Sequence, residues 1–273
     1  MEYLETVIDF DSFDGVHLQG TFCHSKQSAR KGMIVLLVHG VQTDRHETGF
    51  YSRMAYRFAE AGLDSFRFDW RCHGVDSERP ISTLTLTSVR NDITAAYDAA
   101  SMVRGMRCPA VIVAASFSGG VAVRWAFRHT AAASVVLLNP VLDYLDEYII
   151  GPQKGDASSL NKGSIDELEA LGTVTSQRKG FGRPAINEFR DYEVIPKQNI
   201  PHWIFHGDKD TGVDIKTSRI FSRIYENIEL CEIAGAEHGF VEPGDWRMET
   251  AETLRRHADL YEVILEKLER SVS

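Results

Sequence analysis

The sequence predicts an α/β fold in which helices cover both faces of a mostly parallel central sheet. Apolar runs such as "MIVLLVHG" (residues 33–40) are typical of strands that are buried on both faces, as in parallel sheets. Strand and helix patterns alternate from residue 33 to the end of the sequence, apart from one break. With 273 residues, 43 % of them hydrophobic, the chain is long enough for one large core.

The elements follow one another in a regular order. An N-terminal antiparallel hairpin is predicted from "YLETVIDF" and "VHLQGTFC", which alternate in polarity around the turn "DSFDG". Apolar runs predict further strands, and apolar stripes with a period of 3.6 residues predict helices. After the strand at 33–38, we predict helices at 48–62, 88–105, 119–129, 215–227 and 248–270, and strands at 63–70, 109–116, 133–140, 201–208 and 228–235.

The break in this alternation predicts the domain organisation. Residues 1–143 and 198–273 form the core, and residues 144–197 form an inserted lid, because so long an insertion within a compact domain is usually a binding element. The insertion contains the polar, glycine-rich stretch "GPQKGDASSLNKGS". A short helix is predicted at 165–171, with a capping box of Ser164 and Glu167 and a stop at Gly172.

Composition excludes several classes of protein. The net charge of −9 argues against nucleic acid or an anionic membrane as the main partner. No apolar run approaches the roughly 20 residues of a membrane span, and the N-terminus does not resemble a signal peptide. The four widely spaced cysteines are expected to be reduced and mostly buried. We therefore expect a cytoplasmic protein.

The stretch "AASFSGG" (114–120), between a predicted strand and a predicted helix, is the strongest chemical signal. A serine nucleophile in such a turn needs small residues two positions before and after it. The frame Ser116-Phe117-Ser118-Gly119-Gly120 selects Ser118, with glycine two positions on, rather than Ser116. A turn of small residues without chemistry is the alternative.

Two further residues complete a possible triad. Asp210 in "HGDKD" and His238 in "AGAEHGF" each follow a predicted strand, and the carboxyl ends of parallel strands share the edge where ligands bind. The order Ser, Asp, His is the one expected for this type of turn. Each residue alone could be an ordinary loop residue, and Asp143, after "LLNPVL", is the main rival for the acid.

The pieces "LLVHG", "SFRFDWRCHGVDS", "SFSGG", "HGDKD" and "AEHGF" resemble the α/β-hydrolase superfamily. The segment "RFDWRCHGVDS" and the small lid are similar to the feruloyl- and cinnamoyl-esterase and monoacylglycerol-lipase branches. The presence of a serine two positions before the assigned nucleophile resembles the pattern of bacterial acyl-carrier-protein thioesterases of the luminescence type. The sequence departs from the superfamily pattern where glycine is replaced by Ser116 and where "RGHG" becomes "RCHG".

This resemblance implies a mechanism without a cofactor or a metal. The N–H groups of Val41 and Gly119 would form the oxyanion hole, and an ester or thioester would pass through an acyl-enzyme on Ser118. The substrate would be a small acyl compound, free or bound to a carrier, and Phe117 and Phe181 are candidates for binding it. The remaining histidines that we considered, at positions 39, 46, 73 and 206, are interpreted as structural.

Two other functions remain open at this point. The same triad could transfer the acyl group to an acceptor other than water, or catalyse an elimination. The fold could also serve as a non-catalytic binding module.

Overall fold

The computed structural model describes residues 3–25, 32–150, 160–175 and 180–270. Its centre is an eight-stranded sheet with the order β1-β2-β4-β3-β5-β6-β9-β10. The fold class predicted from the sequence is confirmed. In the order of the sheet, the six strands from β4 to β10 run parallel, so their carboxyl ends lie at the same edge.

The N-terminal hairpin is also confirmed. β1 (Leu4–Asp11) pairs antiparallel with β2 (His17–His24), and β2 pairs antiparallel with β4. Gly15 takes φ +79° in the connecting turn, where a side chain would be strained. β1 forms one edge of the sheet, and its residues are mostly exposed, as its alternating pattern predicts.

The parallel strands are the buried centre of the molecule. Nearly every residue of the five parallel strands that precede β10 is buried. Three of these strands are almost continuously apolar instead of alternating, whereas the strands DSFRFD (64–69) and HWIFHG (202–207) also bury polar side chains. The strands are β3 (Ile34–Val38), β4 (Asp64–Asp69), β5 (Ala110–Ala115), β6 (Ala132–Leu138), β9 (His202–Gly207) and β10 (Ile228–Ile233).

Helices cover both faces of this sheet. α1 (Phe50–Glu60) and α7 (Ala251–Arg270) pack in one apolar cluster on one face. α2 (Leu86–Arg104) and α3 (Ser118–Arg128) pack in a second cluster on the other face, which α6 (Lys216–Ile224) also contacts through Phe221. Each helix follows a parallel strand, so the loops that carry the predicted site all leave the sheet at one edge.

Residues 144–197 add small elements beside α2 and α3. They contain a π-helical turn (Asp146–Ile150), α4 (Lys162–Leu171), β7 (Thr173–Val174), β8 (Phe181–Gly182) and α5 (Arg183–Asp191). β7 and β8 form a separate two-stranded antiparallel sheet. Most of the stretch at 151–163, including Gly151 and Gly155, lies outside the described residues.

The predicted capping box at Ser164 is wrong, whereas the helix stop at Gly172 is confirmed. α4 begins three residues earlier than predicted, because the Asn161 side chain accepts the Ser164 N–H at 2.8 Å and caps the helix. The Glu167 carboxylate accepts the Thr175 N–H at 3.0 Å instead of returning to the helix start. Gly172 ends the helix at φ +73°.

The remaining structural expectations concern cysteines and membrane segments. All four cysteines are free, and Cys23 and Cys108 are buried, whereas Cys72 and Cys231 are partly exposed. Among the described residues, none of the helices combines the length and the apolar character that a membrane span requires.

Candidate active site

Ser118 occupies a structural position at the start of α3. Its side chain is 0 % exposed, and its hydroxyl lies 3.1 Å from the Val38 carbonyl oxygen and 2.9 Å from that of Ala115. A hydroxyl that donates to backbone carbonyls inside the core ties the helix to the strand edge and is closed to a substrate. This geometry favours a structural role for Ser118, which the sequence analysis predicts as the nucleophile.

Ser116 has the conformation that the sharp strand-to-helix turn requires. It directly follows β5 and takes φ +50°, an uncommon value for a residue with a side chain. Its N–H donates to the Leu138 carbonyl, and its carbonyl accepts the N–H groups of Gly119 and Val141, so the strained backbone is fixed on both sides. In the frame centred on Ser116, the small residues two positions away are Ala114 and Ser118.

The two glycines after Ser118 are required for close packing and do not mark the nucleophile. A Cβ on Gly119 would lie 2.5 Å from the Pro140 Cβ, and one on Gly120 would lie 2.7 Å from a ring carbon of Tyr144. The Gly119 N–H donates to the Ser116 carbonyl at 3.0 Å. The Gly119 N–H, predicted as an oxyanion donor, is therefore already bonded within the turn.

Two other backbone N–H groups lie beside Ser116. Phe117 is the next residue, and Val41 follows Gly40, whose position is so close that a Cβ there would lie 3.1 Å from the Ser116 Cβ. Within the part of the chain that the structure describes, neither the Phe117 nor the Val41 N–H has a hydrogen-bond acceptor. These are the two donors that a turn of this type directs at a developing oxyanion.

Asp210 and His238 form the pair that the sequence predicts. The His238 Nδ1 lies 2.8 Å from Asp210 Oδ2, and the Asp210 side chain is buried whereas that of His238 is 29 % exposed. The other carboxylate oxygen, Oδ1, accepts the N–H groups of Gly212 and Val213 at 2.7 and 2.9 Å. The imidazole is thus held at one nitrogen, and the carboxylate is held by the turn that follows β9.

The loop after β10 folds back across the end of β9 towards the centre of the sheet. A Cβ on Gly207 would lie 2.3 Å from the Ala236 carbonyl oxygen, and one on Gly212 would lie 3.2 Å from His238 Cγ. Further along the loop, the Phe240 ring stacks on Phe50, with the ring centroids 6.4 Å apart. Phe50 begins α1, which follows the loop that contacts Ser116, so the loop that carries His238 also packs against α1.

His206 supports Asp210, a role that the sequence analysis missed. Its Nε2 lies 3.4 Å from Asp210 Oδ2, and its ring also contacts the Ser218 hydroxyl and the Val213 carbonyl. Burial alone would raise the pKa of Asp210, but the hydrogen bonds from His206 and His238 outweigh burial and hold that pKa well below its usual range. No pattern in the sequence indicates this contact, because His206 lies within an otherwise apolar strand.

Asp143, the rival for the acid, and two further acids make other contacts. Asp143 is exposed and accepts the Asp146 N–H at 2.9 Å, which caps the adjoining turn. Asp208 accepts the Gly235 N–H at 2.7 Å. A third acid, Glu47, interacts electrostatically with His238, and burial raises the pKa of its carboxyl group to about 7.

Phe117 and Phe181, the predicted substrate contacts, lie in an aromatic cluster next to Ser116. Their rings stack with centroids 5.6 Å apart, and both side chains are buried. Tyr144, Tyr148 and Phe189 pack around them. The cluster joins the turn that carries Ser116 to residues 144–197. In this structure, the two rings pack against each other and against neighbouring rings.

Three of the remaining histidines differ in their surroundings. His46 is exposed. His39 is buried and stacks on Trp70, and burial lowers its pKa to about 3. His73 is buried and bonds to two backbone groups. No group of three or more histidine, cysteine or acidic side chains arranged to hold a metal ion occurs among the described residues.

A family model matches the first part of the chain. Residues 29–163 match the family model described as serine aminopeptidase, S33, which spans Val41 and Ser116. A comparison with curated protein sequences gives no match.

Solved structures with the same fold cover almost the whole chain. A putative hydrolase from Agrobacterium vitis S4 aligns with a TM-score of 0.71 at 17 % identity, covering 96 % of this chain and 99 % of the other. Est1E from Butyrivibrio proteoclasticus, with ferulic acid bound, has a TM-score of 0.71 at 18 % identity over 95 % and 99 %. Mouse alpha/beta hydrolase domain-containing protein 10 has a TM-score of 0.71 at 14 % identity over 97 % and 99 %. With its parallel sheet and its strained serine turn, the chain has the α/β-hydrolase fold, and its first part matches the S33 family model.

Proposed function

We propose that this protein is a serine hydrolase that cleaves a carboxylic ester or thioester through an acyl-enzyme on Ser116. The observation that carries the proposal is the Asp210–His238 hydrogen bond of 2.8 Å, at the sheet edge where the strained Ser116 turn also lies. The family model and the bound ferulic acid in the Butyrivibrio esterase favour acyl chemistry. The substrate is a small acyl compound, free or attached to a carrier.

In the proposed mechanism, the Asp210 carboxylate fixes the proton of His238 on Nδ1, so that Nε2 is free to act as the base. Nε2 takes the hydroxyl proton of Ser116 as Oγ bonds to the substrate carbonyl carbon. The N–H groups of Val41 and Phe117 stabilise the resulting oxyanion. His238 then gives the proton to the leaving alcohol or thiol, and water attacks the acyl-enzyme by the same route and releases the acid.

A fluorophosphonate probe tests this proposal directly, because it reacts with a serine only when a base and an oxyanion hole activate it. We expect one equivalent of label, located on Ser116 by peptide mass spectrometry, and no label on the Ser116→Ala variant. A protein without label that also fails to hydrolyse p-nitrophenyl esters and acyl thioesters would contradict the proposal. Label on Ser118 would restore the assignment made from the sequence.

We also propose that residues 144–197 form a lid that selects the acyl group. Phe181, from β8, stacks on Phe117, the residue that follows Ser116. In addition, a Cβ on Gly182 would lie 2.2 Å from the Ser82 carbonyl oxygen, so the segment is packed tightly against the core at that point. An acyl group that reaches Ser116 therefore meets the aromatic cluster first.

Phe181→Ala is expected to change the ranking of acyl donors. Removing a ring beside the nucleophile should shift kcat/KM for long relative to short p-nitrophenyl esters by about tenfold or more, as pocket contacts of this size do. The ratio of kcat/KM for two esters does not depend on the amount of folded protein, so it is the proper measurement for a variant of a buried residue. Leu171→Ala, in the same segment but with Leu171 69 % exposed, is the matched control. An unchanged ranking in the Phe181 variant would mean that the segment is a passive covering.

A further inference from the structure

Three backbone groups of the loop that contains Val41 are hydrogen-bonded to the end of β4 and the loop that follows it. We call residues 39–45 the oxyanion loop and residues 69–73 the β4 loop. The bonds are Trp70 Nε1–H to the His39 carbonyl at 3.0 Å, Gln42 N–H to His73 Nε2 at 3.1 Å, and Arg45 N–H to Asp69 Oδ1 at 2.7 Å. Two of these bonds lie on opposite sides of Val41 in the sequence, so they fix the backbone that presents its N–H.

The bond to His73 is the one nearest to Val41, and it depends on the state of the imidazole. An amide N–H only donates, so His73 Nε2 must accept, and the ring proton is on Nδ1, which lies 3.0 Å from the Arg71 carbonyl oxygen. Burial lowers the pKa of His73, which favours this neutral form. Ring contacts with Trp70 and His39, at centroid distances of 4.0 and 5.0 Å, hold the imidazole in place.

The residue held by His73 needs this support. Gln42 takes φ +68°, a left-handed conformation that is uncommon for a residue with a side chain, so the backbone at this point is strained. Gly40, two residues earlier, packs against Ser116. Val41 lies between these two positions. A movement of Gln42 therefore changes the direction of the Val41 N–H relative to Ser116.

We infer that His73 is a positioning residue of the oxyanion hole: by accepting the Gln42 N–H, it keeps the oxyanion loop strained and the Val41 N–H directed at the reacting carbonyl. The inference rests on the proposed function, because the Val41 N–H has this task only if Ser116 forms an acyl-enzyme. His73 itself touches no reacting atom. It belongs to the stretch "RCHG", where the sequence indicated only a structural histidine.

Two substitutions separate positioning from mere packing. His73→Asn retains a polar group near the Arg71 carbonyl but is too short to reach Gln42, whereas His73→Gln places an amide oxygen near the position of Nε2. We expect the Asn variant to lose about 10- to 100-fold in kcat, the size of effect caused by misplacing one donor, with KM changed by less than about threefold. The Gln variant should recover most of that loss.

His202→Asn is a matched control. His202 is also buried, and its Nδ1 also lies near the carbonyl oxygen two residues earlier, that of Ile200, at 3.1 Å. It is the first residue of β9 and so lies at the amino ends of the parallel strands, whereas the site lies at their carboxyl ends. Its substitution should lower thermal stability, as that of His73 does, and leave kcat unchanged.

The outcomes distinguish this inference from the proposed function. If wild-type protein hydrolyses esters through Ser116 and both His73 variants keep its kcat, the inference is wrong and the proposed function stands. A kcat for the Gln variant as low as that of the Asn variant also overturns the inference. Wild-type protein that neither hydrolyses acyl donors nor reacts with the fluorophosphonate overturns the proposed function instead.

Discussion

Ser116→Ala is expected to lower kcat by about 10⁴- to 10⁶-fold on any ester or thioester that the wild-type protein cleaves, as loss of a triad nucleophile does. The physical reason is that the acyl-enzyme route disappears when Oγ is removed, while the oxyanion donors and the substrate contacts remain. Ser116 is only 8 % exposed and packs against Gly40, so alanine fits without rearrangement. Steady-state kinetics with p-nitrophenyl esters measure the loss, and KM should change little.

Ser118→Ala is the matched control, two residues away in the same turn. Its hydroxyl bonds to the carbonyls of Val38 and Ala115, so its loss should destabilise the fold by about 1–3 kcal/mol. The value of kcat should stay within about tenfold of wild type, because a small residue remains two positions after the nucleophile. The reverse pattern, with activity lost in the Ser118 variant and retained in the Ser116 variant, would refute the assignment of Ser116 as the nucleophile.

The order of strands and helices could be predicted from the sequence because burial dictates it locally. A strand between two helical layers must be apolar throughout, as "IVLLV" is, and a surface helix must carry an apolar stripe. Asp210 and His238 were predicted for the same reason. Once the parallel strands are known, the loops after them share one edge, and polar residues there are natural candidates.

The frame of the serine turn could not be settled by the same reasoning. Glycines suggested close approach between strand and helix, and close approach does occur, but the partners are Pro140 and Tyr144, from the loop that follows β6. Contacts between segments that are distant in the sequence leave no local pattern. The feature that distinguishes Ser116 is its φ of +50°, a property of the folded backbone.

The support of the acid was invisible for a similar reason. His206 is a strand residue within an apolar run, and no spacing in the sequence indicates that its Nε2 lies 3.4 Å from Asp210. The cap of α4 could not be predicted from the sequence either, because Asn161 and a capping box at Ser164 and Glu167 are equally plausible patterns. Where two local patterns are both acceptable, packing decides between them.

Asp210→Asn is expected to lower kcat by about 10⁴-fold while the protein stays folded, as loss of the acid does in serine triads. Oδ1 accepts the N–H groups of Gly212 and Val213, so the asparagine oxygen is held on that side and its NH₂ group faces His238. An NH₂ group donates, which forces His238 to accept at Nδ1 and to carry its proton on Nε2. In that tautomer, Nε2 of His238 already carries a proton and has no lone pair to accept the proton of Ser116.

The control for this variant is Asp143→Asn, which changes the rival acid in the same way. Asp143 is exposed and its carboxylate accepts the Asp146 N–H, so kcat should remain within about threefold of wild type, as for surface changes in general. Thermal unfolding of both variants checks the fold, and fluorophosphonate labelling rates provide a second measure of Ser116 activation. A crippled Asp143 variant beside an active Asp210 variant would transfer the role of the acid to the strand end after β6. The tautomer argument adds a more specific expectation: the Asp210 variant should regain activity as pH rises, because hydroxide can then remove the serine proton without the help of His238.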